Sequence, residues 1–265
     1  MDIMIFKDCE AVAEAGAQVV RNLLAEKPAA VLGMATGNTP IRMYKKLIAD
    51  CENKTLSFKD VTTFNLDEYH GISPRDPKSY RAYMQKELFD HIDIDSSNTH
   101  LPACAKGEDH RVLSHQYEAL IEAKGGIDLQ ILGLGQNGHI GFNEPTSSLG
   151  SRTRIKTLTR GTLNDNRQYF DDDDAQPHLA ITMGIATILE ARRIMLLATG
   201  EGKADAVRQF VEGPVSAICP ASALQFHNDV IVLLDEPAAS SLAYRGYYER
   251  VREQKIYLAD QLKEG

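Results

Sequence analysis

His139, Asn143 and Glu144 stand close together at the end of a glycine-rich stretch, Asp128 to Pro145, that reads DLQILGLGQNGHIGFNEP. An imidazole exchanges protons near neutral pH, and a carboxylate nearby can orient it. A histidine in such a place is either a buried, hydrogen-bonded structural residue or a catalyst. Glu144 five residues on, in a loop where neither side chain has a packing reason, favours chemistry. A second carboxyl, Asp67, lies in the run FNLDEY (64–69) at the carboxyl end of an apolar stretch. It is a candidate base, the alternative being a helix cap or turn. Ala35-Thr36-Gly37-Asn38-Thr39-Pro40 offers hydroxyls, backbone N–H groups and a helix start together, a ready site for an anion such as a phosphate, or simply a capped turn. Lys203, in Thr199-Gly200-Glu201-Gly202-Lys203, adds a cation to a similar turn.

Each of these groups follows a predicted strand. Leu129 to Leu134 is an apolar run too short for a helix, and Ala29–Met34, Val61–Leu66 and Arg193–Ala198 read as further buried strands. Residues 3–6 form a first strand and Val230–Leu234 a last one. Asp8 is placed to cap a helix running to Glu26, and a helix opens with Pro40 in its first turn. Ser79–His91, His110–Lys124, Ile181–Glu190 and a segment from Lys203 to Glu212 read as helices. A closing helix spans 237–262, where Tyr244, Tyr247 and Tyr248 are suited to packing on a partner chain. Alternating strands and helices predict an α/β fold, a mostly parallel sheet with helices on both faces, whose strand-end loops converge on one rim. No repeat or composition break divides the chain, so residues 1–265 are expected to form a single α/β domain.

Gly133, Gly135 and Gly138 match G-x-G-x-x-G after a strand. A dinucleotide site also needs a helix opening on the third glycine and an acid about twenty residues on. Here the third glycine leads into loop, and no acid stands near Gly150, so the motif is not read as a nucleotide fold. The turn at residues 35–40 lacks G-K-[ST] and is not a P-loop. Ser151-Arg152-Thr153-Arg154-Ile155-Lys156 is a basic patch, either a solvated face or a phosphate contact. Asp171 to Asp174 reads as a solvated acidic loop.

The chain has 265 residues, 43% hydrophobic and 25% charged, with a formal net charge of −8. That balance fits an ordinary globular protein and argues against nucleic-acid or membrane-surface binding as the main role. Cys9, Cys51, Cys104 and Cys219 are scattered without metal-ligand spacing, which reads as reduced thiols and no zinc site. Nothing resembles a leader or a membrane span, so a cytoplasmic location is expected.

With these residues laid out, the chain resembles the glucosamine-6-phosphate deaminase family over essentially its whole length. The matching stretches are ATGNTP (35–40), FNLDEY (64–69), GLGQNGHIGFNEP (133–145), SRTRIKTL (151–158) and TGEGK (199–203). The resemblance implies a modified Rossmann-like fold and conversion of glucosamine 6-phosphate and water to fructose 6-phosphate and ammonia, with no organic cofactor and no metal. It implies that His139, held by Glu144, opens the sugar ring, and that Asp67 moves a proton from C2 toward C1 through an enol-amine. It also implies a phosphate cradle of Thr36, Gly37, Asn38, Thr39 and Lys203. In regulated members, N-acetylglucosamine 6-phosphate binds between subunits of a hexamer at positions matching Ser147, Ser148, Arg154 and Lys156.

Two departures stand out. Many members carry Asp where this chain has Asn137, which can hydrogen-bond the imidazole without supplying a full charge. The family's phosphate-binding Arg usually sits in Asn-x-Arg-Phe-Phe, whereas this chain reads Asn166-Arg167-Gln168-Tyr169-Phe170, displacing Arg167 by one position, a rotation of about 100° on a helix. Among rivals, 6-phosphogluconolactonases typically continue the Gly-His loop differently, without Asn-Glu-Pro. A galactosamine-6-phosphate deaminase differs only in the C4 epimer it accepts. A sugar-phosphate sensor on the same fold would not need Asp67, His139 and Glu144 together.

Overall fold

The computed structural model describes residues 1–167, 170 and 176–261. Its strands are β1 (Asp2–Phe6), β2 (Val31–Met34), β3 (Thr62–Asn65), β4 (Asp67–Tyr69), β5 (Thr99–His100), β6 (Leu129–Gly133), β7 (Arg154–Thr157), β8 (Leu179–Thr182), β9 (Arg193–Ala198) and β10 (Val230–Asp235). Its helices are α1 (Cys9–Glu26), α2 (Asn38–Glu52), α3 (Tyr80–Glu87), α4 (His110–Ala123), α5 (Arg160–Asn166), α6 (Ile185–Leu189), α7 (Ala204–Val211) and α8 (Arg245–Gln261).

Seven strands form one parallel sheet in the order β1-β10-β9-β6-β2-β3-β5. The chain passes outward from β2 through β3 to β5, then returns to lay β6 on the other side of β2. Strand order therefore reverses between β2 and β6, and the loops leaving their carboxyl ends part to form a crevice, the usual ligand position in an open α/β sheet. Gln130 on β6 and Phe64 on β3 are in register with Gly33 and so point to one face, while Leu32 and Leu129 point to the other. Tyr117 of α4 packs edge-on against Phe64 on the first face. On the second, α1 and α2 pack together beside Leu197, which lies close to Gly16. Leu32, Leu129, Ile131, Leu196 and Leu233 are buried between these layers, so the sheet reads as near-continuous apolar runs.

Local chemistry accounts for the element boundaries. Asp8 accepts the Ala11 N–H at 2.8 Å and caps α1, and Arg193–Ala198 forms β9 as its apolar run predicts.

Three predicted elements differ. Ile181–Glu190 is not one helix: Leu179–Thr182 is β8, and Gly184 then caps the short α6. β8 is a strand because it has partners on both edges, β4 and β7, in a second, antiparallel sheet of order β4-β8-β7. Ser79–His91 divides into α3 and a 3₁₀ turn at Phe89–His91. The closing helix begins at Arg245 rather than 237. Tyr244 and Tyr247 are exposed, but Tyr248 packs on the protein's own core and reaches Glu212 through its hydroxyl at 3.1 Å. The acidic run Asp171–Asp174 lies outside the described residues.

The small sheet has its own apolar cluster of Tyr69, Phe142, Leu158, Phe170 and Ala180. It carries β4, and with it Asp67, out of the main sheet and across the crevice mouth.

Candidate active site

A cavity of about 770 Å³ opens at the switch between β2 and β6. Thr36, Gly37, Asn38, Thr39, Asp67, His139 and Lys203 all line it, so the separately read motifs meet at one rim.

The cradle is built from the turn after β2. Gly37 sits at φ 105° as the N-cap of α2 and has no side chain with which to cap this fifteen-residue helix. A helix start of this kind, with its dipole, is chemically suited to an anion. The turn is fastened from both sides. Tyr44 of α2 donates to Ala35 O at 2.6 Å, and Tyr83 of α3 donates to Gly37 O at 2.7 Å. Across the cavity, Asp235 at the end of β10 accepts the Gly200 N–H through both carboxylate oxygens, at 2.9 and 3.0 Å. That fixes the loop carrying Lys203. Burial lowers the Lys203 ammonium from its ordinary range, against the attraction of Asp165.

Asp67 is buried, at 5% exposure. Burial pushes its carboxyl up to about 8, the adjacent Glu68 charge adds to this, and the Phe142 N–H opposes it. Gly141 makes room for it: with φ at 54°, a Cβ there would approach Thr182 Oγ1 to 3.1 Å and Asp67 Oδ2 to 3.3 Å. A carboxyl held near neutrality beside a water-poor wall suits proton transfer to and from carbon.

His139 lies across the turn after β6. A Cβ on Gly135 would come within 2.3 Å of its ring, so only glycine permits this placement. The ring's Nδ1 donates to Asn137 Oδ1 at 2.7 Å. Asn137 Nδ2 donates in turn to Glu144 Oε2 at 2.9 Å, while Glu144 stands 3.6 Å from Nδ1. Glu144 therefore orients the imidazole chiefly through Asn137, a relay in place of a direct hold. Thr159 donates to Glu144 through both N–H and Oγ1 at 3.2 Å. Burial works to raise the Glu144 carboxyl, and the His139 ring, Thr162 and Asn137 overcome it, holding the group down to about 2. Glu144 is thus an anion throughout the physiological range. Neither Asn137 nor Glu144 lines the cavity; both stand behind His139.

Arg167 is the one substrate-binding candidate that the fold does not bring to the cavity wall. It is the exposed C-cap of α5, while Asp165 and Asn166, one turn position away, line the wall. Gln168 and Tyr169 lie outside the described residues. Reading the sequence missed Arg42, Lys78, Tyr69, Tyr80 and Tyr83, all on the wall. The signal was there, since a run of hydroxyl-bearing aromatics carries polar tips that prefer a wetted boundary. Lys78 lies over the Phe170 ring, 5.7 Å from its centre.

Ser147, Ser148, Arg154 and Lys156 are apart from this cavity. Arg154 donates to Asn143 Oδ1 at 2.7 Å and borders a second cavity of about 1050 Å³ between α4 and β7. Arg152, from the same basic patch, is paired with Glu118 at 2.5 Å and with Glu190, so its charge is already compensated. Among the described residues no cluster of three His, Cys, Asp or Glu side chains could hold a metal ion.

The sequence is 57% identical over 256 residues to the glucosamine-6-phosphate deaminase of Hahella chejuensis, covering 97% of each chain. It is 52% identical over 262 residues to that of Shewanella loihica, covering 99% of this chain and 97% of the relative. A solved structure of a monomeric glucosamine-6-phosphate deaminase superposes with a TM-score of 0.88 at 45% identity, covering 91% of this chain and 100% of the other. The family model described as glucosamine-6-phosphate isomerases/6-phosphogluconolactonase matches residues 7–232. On these grounds the chain belongs to the glucosamine-6-phosphate isomerase/6-phosphogluconolactonase family.

Proposed function

We propose that this protein is an enzyme that converts glucosamine 6-phosphate and water to fructose 6-phosphate and ammonia. The observation that carries the reading is one cavity uniting a buried carboxyl raised to about 8, an oriented imidazole, and an uncapped helix start facing a lysine. The anion cradle of Thr36, Gly37, Asn38 and Thr39 with Lys203 would take the phosphate and so fix the sugar's far end. His139, with Nδ1 tied to Asn137, has Nε2 left for the ring oxygen and would assist ring opening. Asp67 would then take the C2 proton, giving the enol-amine, and return it at C1, giving a C2 imine that water attacks with loss of ammonia. Each positioned acid or base of this kind contributes typically ~10²–10⁴-fold. The relatives above support the gluco substrate.

Ammonia release from glucosamine 6-phosphate, with galactosamine 6-phosphate alongside, tests the reading. Release chiefly from the gluco epimer supports it, and release chiefly from the galacto epimer replaces it with the epimeric activity.

The same reading places a binding site for an N-acetylglucosamine 6-phosphate activator at Ser147, Ser148, Arg154 and Lys156. Ser147 Oγ is buried with no hydrogen-bond partner, and burial lowers the Arg154 guanidinium. A hexamer would complete such a site between subunits, and sedimentation with and without the activator tests both. A role in N-acetylglucosamine catabolism and a cytoplasmic location go with this activity. No helix among the described residues is long and apolar enough to cross a membrane. Residues 1–265 would act as one α/β domain, because the cavity draws on both sheets.

A further inference from the structure

Glu68 follows Asp67 in β4 and is as deeply buried, at 3% exposure. Successive strand residues point to opposite faces, so Glu68 turns away from the cavity that Asp67 lines. There its Oε1 accepts the N–H groups of Tyr69 at 2.8 Å and Tyr80 at 2.9 Å, and its Oε2 accepts that of Arg81 at 2.9 Å. Tyr80 and Arg81 begin α3, where N–H groups lack partners within the helix and a negative charge is favoured. The ordinary cap is already present, since Ser79 accepts from Ala82 N at 3.0 Å. Glu68 is therefore a second clamp on a helix that has its first.

That first turn carries two cavity walls. The Tyr80 ring stacks on Phe142 of the His139 loop, with centroids 5.8 Å apart and planes 14° from parallel, and lies 5.0 Å from Tyr69. One turn on, Tyr83 holds the cradle through Gly37 O. We propose that Glu68 is the positioning residue of this site: one carboxylate that locks α3 to the strand bearing Asp67 and keeps a second negative charge beside that carboxyl. The inference rests on Asp67 being the base. The titratable groups around Asp67 are Glu68 and Tyr69 on its own strand, Tyr80 on α3 and Tyr117 on α4, with Cys9, Arg42, Lys78, His139, Asp165, Lys203 and Asp235 sharing the cavity. Arg81 lies on the Glu68 side. Burial raises the Glu68 carboxyl, the N–H groups of Tyr80, Arg81 and Tyr69 work against that, and the Glu68 charge raises Asp67.

The test compares the pH dependence of ammonia release from glucosamine 6-phosphate in the wild type, Glu68→Gln, Glu68→Asp and Asp67→Asn, each with its melting temperature. Glu68→Gln keeps the shape but removes the charge and sets an amide NH₂ against an N–H. Its acid limb should move down by about one pH unit, and its plateau kcat/KM should fall roughly 10-fold or more. Glu68→Asp keeps the charge but shortens the reach, so the plateau should fall while the limb stays at its wild-type position. An unmoved limb in folded Glu68→Gln, or a wild-type plateau in Glu68→Asp, overturns the proposal. If Glu68→Gln does not fold, Glu68→Asp decides alone: a lowered plateau on an unmoved limb supports it, and a wild-type plateau overturns it. Wild-type turnover in Asp67→Asn removes the base assignment itself, and with it this proposal, and is distinguishable from either Glu68 result.

Discussion

A carboxyl at about 8 makes Asp67 half-protonated in the unliganded protein near that pH. Only the ionised form can accept a proton from C2, so kcat/KM should rise as pH increases through about 8, a limb that a pH–rate profile locates directly. Asp67→Asn keeps the volume and removes the base; ammonia release should drop by ~10²–10⁴-fold, measured at pH 9 where the wild type is mostly ionised. The same shift bears on stability with a definite sign. The folded value lies above the unfolded one of 3.8. The stabilising effect of the neutral carboxyl is therefore complete below about 4 and is lost as pH rises through about 8. Asp67→Asn should match the wild type at pH 4 and melt at a higher temperature than it at pH 9. Calorimetry at the two pH values checks this. Asp67, His139 and the cradle were readable as candidates because each follows a predicted strand, the latter two beside turn-forming glycines. The Asn137 contact to the imidazole was readable too, but its onward bond to Glu144, which makes the relay, was not, since which of two side chains takes a hydrogen bond depends on tenths of an ångström.

At the scale of elements, the loops after β2, β6 and β9 set the chemistry, and the helices behind them hold those loops in place. Lys203 supplies a charge from the turn before α7, and Lys203→Ala should raise KM for a sugar phosphate by roughly 10–100-fold, with a smaller effect on kcat, because one charge-assisted contact is worth about 1.5–3 kcal/mol. Steady-state kinetics separates the two parameters. Gly141→Ala should affect both activity and stability. The left-handed backbone at φ 54° disfavours any Cβ, and the added methyl would press on Asp67 and Thr182. A loss of about 1–3 kcal/mol in denaturant unfolding, together with lower kcat, is expected. The main-sheet strands other than the two-residue β5 were readable as apolar runs, β9 to the residue. The second sheet was hidden because β4 has three residues and β8 carries an apolar pattern that suits a helix equally well. What makes β8 a strand is pairing with segments more than a hundred and about twenty-five residues away in sequence, roughly speaking, and such non-local pairing overrides local propensity.

For the whole molecule, the parallel sheet and its switch point explain why one cavity gathers residues from the turns near positions 36, 67, 139 and 203. Alternation of strand and helix predicted that convergence, whereas the aromatic wall of Tyr69, Tyr80 and Phe142 arises only where the small sheet crosses the main one. Arg167, at the C-cap of α5, stands off the cavity wall that Asp165 and Asn166 line. The central claim is that this cavity isomerises and deaminates an amino-sugar phosphate with Asp67 as base. The most direct measurement is ammonia release from glucosamine 6-phosphate and galactosamine 6-phosphate by wild type and Asp67→Asn in parallel. Release is expected chiefly from the gluco epimer and nearly abolished in the variant. No release from either sugar, or undiminished release in Asp67→Asn, would contradict it.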